Sequence, residues 1–323
     1  MQQVIYRSFG DPAKVLEVVN IEPPQLSVGQ ARIKVLRTPI NPSDIAQIAG
    51  KYGVKPPLPA IAGNEGLGRV IEVNGEGIEV GQLVLLPERG AWVTETVGNI
   101  NQLVVLPEGD LDQLAMLAVN PATAYLLLTD FVTLQAGDWV ILSAANSAVG
   151  SYLLPLAKAR GIKVVCVVRR ESAVAALIEA GADVVLVDGP DLAERVRKAT
   201  DTPMKLAIDA VSGETFGRLA ETLEPAGTLV LYGGMSGESA SIDTGLLIFN
   251  DIRVRGFWLV HWFSQTSQAD QMKVYGELTQ AVAEGILQAP IDRHFSLNEI
   301  TEAVTHTTAG ARSGKVLLAP NGL

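Results

Sequence analysis

Residues 143 to 150, Ser-Ala-Ala-Asn-Ser-Ala-Val-Gly, follow the apolar run Asp138-Trp-Val-Ile-Leu and open straight into a helix-like segment. Small residues at a strand-to-helix turn let the backbone approach a pyrophosphate, whose charge then rests on the free N–H groups and positive dipole end of the helix. Asn146, Ser147 and Ala148 stand where glycines are usual, and only Gly150 remains of the glycine fingerprint. The competing reading is an ordinary tight βα connection. Nineteen residues beyond Gly150, the run Val164-Val-Cys-Val-Val168 ends in Arg169-Arg170. An NAD-binding domain carries an acid at that point for the ribose 2′-hydroxyl, whereas two guanidiniums suit a 2′-phosphate. The expected cofactor is therefore NADPH. Glu171 argues the other way, and the bland alternative makes both arginines solvated strand-end charges.

A catalytic zinc needs three ligands of Cys, His or carboxylate type plus an open position. The chain has one Cys and three His, none in ligand spacing, so no metal is expected and His261, His294 and His306 are read as surface or packing residues. Cys166 lies in a buried-strand pattern, which makes it a structural thiol, and a single cysteine excludes a disulfide within the chain.

These residues need elements to hold them. The chain of 323 residues is 48% hydrophobic and 19% charged, long enough for two domains around large cores. No stretch approaches the roughly 18 apolar residues of a membrane span, and Met1-Gln-Gln-Val-Ile-Tyr starts as a strand with no signal-peptide pattern. The expected location is the cytoplasm. Twenty-five Lys plus Arg against 35 Asp plus Glu leave a formal charge of −10, which repels nucleic acid and anionic membrane. Residues 1 to about 115 carry short strand-like runs between Gly and Pro turns with little helical periodicity, which predicts a β-rich, barrel-like domain. From 118 to 288 strand and helix patterns alternate, with strands at 138 to 143, 163 to 168, 183 to 187, 205 to 210, 227 to 232 and 252 to 258. Repeated βα units predict a parallel, doubly wound sheet. Pro155 is expected to kink the first helix or free a carbonyl in it. Residues 289 to 323 resemble the first domain again, so the expected domains are 1 to 117 with 289 to 323, and an inserted cofactor domain at 118 to 288.

Eight short blocks in this order carry a family resemblance: Asn41-Pro-Ser-Asp-Ile, Gly50-Lys-Tyr-Gly, Gly63-Asn-Glu-Gly, Val119-Asn-Pro-Ala-Thr-Ala-Tyr, Ala145-Asn-Ser-Ala-Val-Gly, Tyr232-Gly-Gly-Met, Leu247-Ile-Phe and Gly256-Phe-Trp-Leu. The whole chain resembles the zinc-independent branch of the medium-chain dehydrogenase/reductase superfamily, and most closely the mitochondrial-type trans-2-enoyl thioester reductases. That resemblance implies a GroES-like, β-barrel-type domain with an inserted Rossmann domain. Asn64 stands where zinc-dependent relatives resemble Gly-His-Glu, and Glu65 is expected to be structural, pairing buried backbone or an arginine.

Without a metal to polarise a carbonyl, hydride is expected to go to Cβ of an α,β-unsaturated thioester, with charge spreading into the enolate and a donor protonating Cα. Tyr52 matches the tyrosine assigned as donor in the family, and its Gly-flanked loop leaves the phenol free to point into a cleft. By the same resemblance Asn120 and Thr123 reach the nicotinamide, and Asn146, Ser147, Ala148 and Val149 cradle the pyrophosphate. Arg169 and Arg170 take the 2′-phosphate, Tyr232, Gly233, Gly234 and Met235 border the cofactor, Phe257, Trp258 and Leu259 contact nicotinamide and acyl chain, and Lys315 binds the cofactor. Ala148 in place of a usual glycine and Glu171 are departures that bear on cofactor preference. The expected substrate is an enoyl-CoA or enoyl-acyl-carrier-protein. The rivals are an NADPH:quinone or enone reductase and a non-catalytic NADPH-binding protein. A homodimer is expected, through Leu246 to Phe249 and Ile252 to Val254.

Overall fold

The computed structural model describes residues 1–86, 89–200, 202–309 and 314–323. The chain divides into two compact units, Met1–Val119 with Ala289–Leu323, and Asn120–Gln288.

The second unit is built on six strands: β1 (Trp139–Leu142), β2 (Lys163–Val168), β3 (Val184–Val187), β4 (Met204–Asp209), β5 (Leu223–Leu231) and β6 (Arg253–Gly256). All neighbours pair in parallel, in the order β3-β2-β1-β4-β5-β6. Central strands of such a sheet are covered on both faces and so read as unbroken apolar runs. Val140 to Leu142 and Val164 to Val168 show this, each 1% exposed or less. Helices Ala148–Ala159, Val174–Glu179, Leu192–Thr200 and Gly213–Ala220 connect successive strands. Ile141, Val165, Val167, Ala207, Phe216 and Leu229 form one apolar cluster between sheet and helices. The winding reverses between β1 and β4, which is where folds of this kind open a crevice at the carboxyl ends of the strands.

Helix Ala148–Ala159 runs on through Pro155, which has no N–H to give the carbonyl of Ser151 four residues earlier. The strand expected over 252 to 258 is shorter. Ile252 is buried at 5% exposure, Arg253 to Gly256 pair with β5, and at Leu259 the chain turns into the helix Leu259–Gln265. The apolar run that reads as one strand is thus shared between strand end and helix start.

The first unit is mainly antiparallel. Strand Gln2–Tyr6 pairs with Leu16–Asn20 on one side and Ala60–Ile61 on the other. A larger sheet runs Ile291–Phe295, Lys315–Leu318, Gln30–Pro39, Leu67–Asn74, Leu83–Leu85, Val104–Leu106, with Glu95–Asn99 also pairing Gln30–Pro39. Two apolar clusters fill it, one around Val4, Tyr6, Ile40, Trp92, Val316 and Leu318, the other around Ala31, Ile33, Val70 and Val84. Four short helices here escaped the period count, Pro12–Val15, Pro42–Ile48, Leu111–Ala115 and Ile300–Thr308. Pro42–Ile48 is set by local chemistry: Pro42 occupies the first turn, where no N–H is needed, and the Asp44 carboxylate accepts from the N–H of Asn41 at 2.7 Å.

Candidate active site

In the second unit the residues expected to meet the cofactor lie at one edge of the sheet, beyond the carboxyl ends of β1, β2, β5 and β6, apart from Asn120 and Thr123 on helix Asn120–Thr129. The turn after β1 is held from below by backbone bonds. Ser143 N–H donates to Ile208 C=O at 3.0 Å and Ala145 N–H to Val167 C=O at 3.2 Å, while Ala144 adopts φ +47°. Ser147 caps the following helix, its hydroxyl accepting from Gly150 N–H at 3.3 Å. The N–H groups of Ala148 and Val149, in the first helical turn, have no carbonyl behind them within the helix. Gly150 explains which glycine had to stay. A Cβ there would lie 2.0 Å from the carbonyl oxygen of Ala145, so the helix sits on the turn too closely for any side chain. Asn146 is exposed, Ser147 and Ala148 are half-buried, and Val149 is buried.

Arg169 and Arg170 follow β2 directly and both are exposed. Among the described residues neither enters an ion pair or a side-chain hydrogen bond. Two cations at a strand's carboxyl end without carboxylate partners are available to an anion. Glu171 opens the short 3-10 turn Glu171–Ala173 beside them.

Sequence reasoning missed a buried lock at the winding reversal. Asp209, fully buried at the end of β4, accepts from Ser143 Oγ at 2.5 Å and from the N–H groups of Val211 and Ser212 at 2.9 Å each. Ser143 Oγ accepts in turn from Ala210 N–H at 2.9 Å. The signal was an aspartate closing the apolar run Leu206-Ala-Ile-Asp, a position with no place in the fingerprint. Tyr232 to Met235 leave β5 alongside this segment, with Met235 N–H bonded to Ala210 C=O at 2.9 Å. The Tyr232 hydroxyl is buried near Ser147 without closing a well-formed hydrogen bond, and burial pushes its pKa far above the ordinary phenol value. At the edge of the sheet Phe257 N–H donates to Leu231 C=O at 2.9 Å, and the Phe257 ring meets Phe131 edge-on at 5.9 Å. Trp258 is 38% exposed, and Asn120 and Thr123 are buried on their helix.

In the first unit, Tyr52 is half-buried in the bend after helix Pro42–Ile48. Gly50 makes that bend possible at φ +72°, a left-handed conformation open to glycine. Near it in sequence lies a second buried network. Asn41 Nδ2 donates to Glu65 Oε1 at 2.6 Å, Val119 N–H to Glu65 Oε2 at 2.9 Å, and Asn64 Nδ2 to Asp44 Oδ1 at 2.6 Å. Lys315 Nζ donates to Asn41 Oδ1 at 2.5 Å and to Ile40 C=O at 3.3 Å. Burial pushes Asp44 up to about 6 and Glu65 up to about 8, against the pull of the Lys315 ammonium and the Asn41 hydrogen bonds. Glu65 therefore pairs backbone, as expected, together with an asparagine amide in place of an arginine. Lys315, expected near cofactor, has these partners in its own unit.

His294 Nε2 lies 2.8 Å from Asp112 Oδ2, His306 Nε2 2.5 Å from Asp292 Oδ2, and His261 is exposed. Among the described residues no three His, Cys, Asp or Glu side chains gather as a metal site. The Asn64 amide is committed to Asp44, and an amide nitrogen is no zinc ligand. The donor set does not suit zinc, while the turn, the arginine pair and the close seat of Gly150 suit a dinucleotide.

Two family models match. Residues 27–112 fit the alcohol dehydrogenase GroES-like domain and residues 148–273 the zinc-binding dehydrogenase domain. Fold and models together define a two-domain medium-chain dehydrogenase/reductase. The mitochondrial enoyl-[acyl-carrier-protein] reductase of rat is 36% identical over 315 residues, spanning 94% of this chain and 84% of the relative. A solved Etr1p/NADP/crotonyl-CoA complex is 28% identical with a TM-score of 0.87, covering 98% of this chain and 99% of that one. A putative NADPH:quinone reductase of Bacillus thuringiensis is also 28% identical, with a TM-score of 0.89 and 98% of each chain covered. The chain belongs to the mitochondrial-type enoyl-[acyl-carrier-protein] reductase family. The cytoplasmic expectation is corrected by these names, which are those of mitochondrial enzymes. It rested on the lack of a membrane segment and of a signal-peptide pattern. Among the described residues no helix is long and apolar enough to cross a membrane, and that does not decide a compartment.

Proposed function

We propose that the protein reduces the α,β double bond of trans-2-enoyl thioesters with NADPH. The observation that carries the cofactor half is the pair of exposed arginines after β2, without an ion-pair partner among the described residues, beside the small-residue turn at the winding reversal. The substrate half is supported by the 36% identity to an enoyl-[acyl-carrier-protein] reductase and by the crotonyl-CoA bound in the Etr1p complex. When bound, NADPH supplies the hydride that enters Cβ.

The protein's own tasks are to bind, orient and deliver a proton. The N–H groups of Ala148 and Val149 and the polar side chains of Asn146 and Ser147 hold the pyrophosphate, with Arg169 and Arg170 on the 2′-phosphate. Asn120 and Thr123 orient the nicotinamide side, Lys315 binds the cofactor, Tyr232 to Met235 border it, and Phe257, Trp258 and Leu259 contact nicotinamide and acyl chain. Tyr52 gives its phenolic proton to Cα, so that one hydride and one proton saturate the double bond; the phenolate is then reprotonated from solvent. A homodimer is supported by the edge strand β6 and by Leu247, Ile248 and Phe249, which expose 37%, 71% and 85% of their surface on helix Thr244–Asn250. Ile252 turns into its own core and drops out of that surface. Acyl-carrier protein is the proposed donor of the thioester alongside CoA.

Steady-state assays test the reading, using crotonyl-CoA, a longer enoyl-CoA, an enoyl-acyl-carrier protein and a simple quinone, each with NADPH and NADH. NADPH-dependent reduction of the thioesters is expected. Turnover of the quinone alone would favour the second reading, an NADPH:quinone reductase, for which the Bacillus structure speaks.

A further inference from the structure

Glu65 is 1% exposed, and both of its oxygens face N–H donors. One is the side-chain amide of Asn41, whose own oxygen takes the ammonium of Lys315. The other is the backbone N–H of Val119, the residue directly before Asn120. One carboxylate thereby ties together three segments far apart in sequence, two of which lead to residues assigned above to the cofactor.

We infer that Glu65 is a positioning residue for cofactor binding, an acceptor-only clamp that fixes the peptide link from Val119 to Asn120 and, through Asn41, the Lys315 ammonium. The inference rests on the NADPH reading. Once ionised, which the Asn41 and Val119 donors and the Lys315 ammonium favour against the cost of burial, Glu65 accepts at both oxygens, whereas an amide of the same shape must turn an N–H toward one of the two donors, so wild type and amide are compared above pH 8. A buried donor facing a donor has lost its hydrogen bond and has no water to replace it.

The test uses the full chain and compares wild type with Glu65→Gln. Calorimetric titration is expected to show NADPH binding weakened about tenfold, the worth of one buried hydrogen bond left unmade. The preference for NADPH over NADH stays as in wild type, because the arginine pair is untouched. Hydrogen exchange is expected to quicken at the amide of Val119. A purely structural role would lower the denaturation midpoint and leave the affinity of the folded protein where it was; that result, or unchanged exchange at Val119, overturns the inference. Should Glu65→Gln not fold, Asn41→Ser removes one arm of the clamp. A loss of about threefold or more in NADPH affinity there supports the clamp, and wild-type affinity overturns it. Failure of the wild-type protein to bind NADPH would sink the cofactor reading instead, leaving exchange at Val119 to judge the clamp.

Discussion

The phosphate turn of the second unit and the carboxylate network of the first solve opposite problems. On the proposed function the turn must attract charge, and for this it has neutral backbone N–H groups, a helix end and two arginines left in water. The network must keep charge inside, where Asp44, Glu65 and Lys315 are 1%, 1% and 4% exposed, and it relies on direct hydrogen bonds from Asn41, Asn64 and the chain itself. The lesson is that the turn's function lies in backbone geometry, so side chains there are replaceable if small. In the network function lies in donor and acceptor identity, so even an isosteric exchange is felt.

The sharpest way to break that comparison is Gly150→Ala. Helix propensity alone would favour alanine by about 1 kcal/mol. A methyl group 2.0 Å from the Ala145 oxygen and 2.6 Å from its carbonyl carbon must move backbone, and the clash wins. We expect a loss of about 3 kcal/mol or more in chemical denaturation, together with loss of NADPH binding. A denaturation midpoint at or above that of wild type would show that the turn tolerates a side chain after all.

Next in size is Tyr52→Phe, expected to lower turnover with crotonyl-CoA about 10²-fold while NADPH affinity stays unchanged. Near-normal turnover would move the proton to another donor. Replacing Arg169 and Arg170 together by alanine is expected to weaken NADPH binding by about 1.5–3 kcal/mol and spare NADH, since the 2′-phosphate alone separates the two cofactors. Equal losses for both would return the arginines to the role of solvated strand-end charges.

The smallest effect concerns pH and the network. Glu65 has a folded pKa raised from 4.5 to about 8 and Asp44 from 3.8 to about 6, so the folded protein holds more protons than the unfolded chain in between. Stability from these groups therefore falls as pH rises through that window, the opposite of a salt-bridged acid. Between pH 6 and 8 wild type is expected to lose denaturation midpoint relative to Glu65→Gln, which cannot titrate. Parallel profiles for the two proteins would mean that Lys315 and the donors already hold Glu65 ionised.

Much of the second unit was legible because parallel strands buried on both faces write themselves as apolar runs, as Val164 to Val168 do. The tight turn after β1 was legible through Gly150, whose packing duty no side chain can share. What escaped was chemistry without period. Asp209 is one polar residue at a strand end, and its partner Ser143 lies 66 residues away, joined to it only once the sheet is wound. The Glu65 network likewise gathers Asn41, Val119 and Lys315 from across the chain. Phe257 and Trp258 extended an apolar run, and composition could not tell a strand end from a helix entrance. Helix Pro42–Ile48 is set by one proline and one aspartate, too short for periodicity to register.

The Asp209 lock has a mechanical consequence. At the winding reversal the two halves of the sheet meet through β1 and β4. There the Ser143 hydroxyl is donor to one half and acceptor from it, so a wedge entering between the strand ends meets a bolt before it meets the ladder. The mouth can admit a ligand and still not unzip, and under tension or heat the amide of Ala210 should be among the last in the sheet to exchange with solvent.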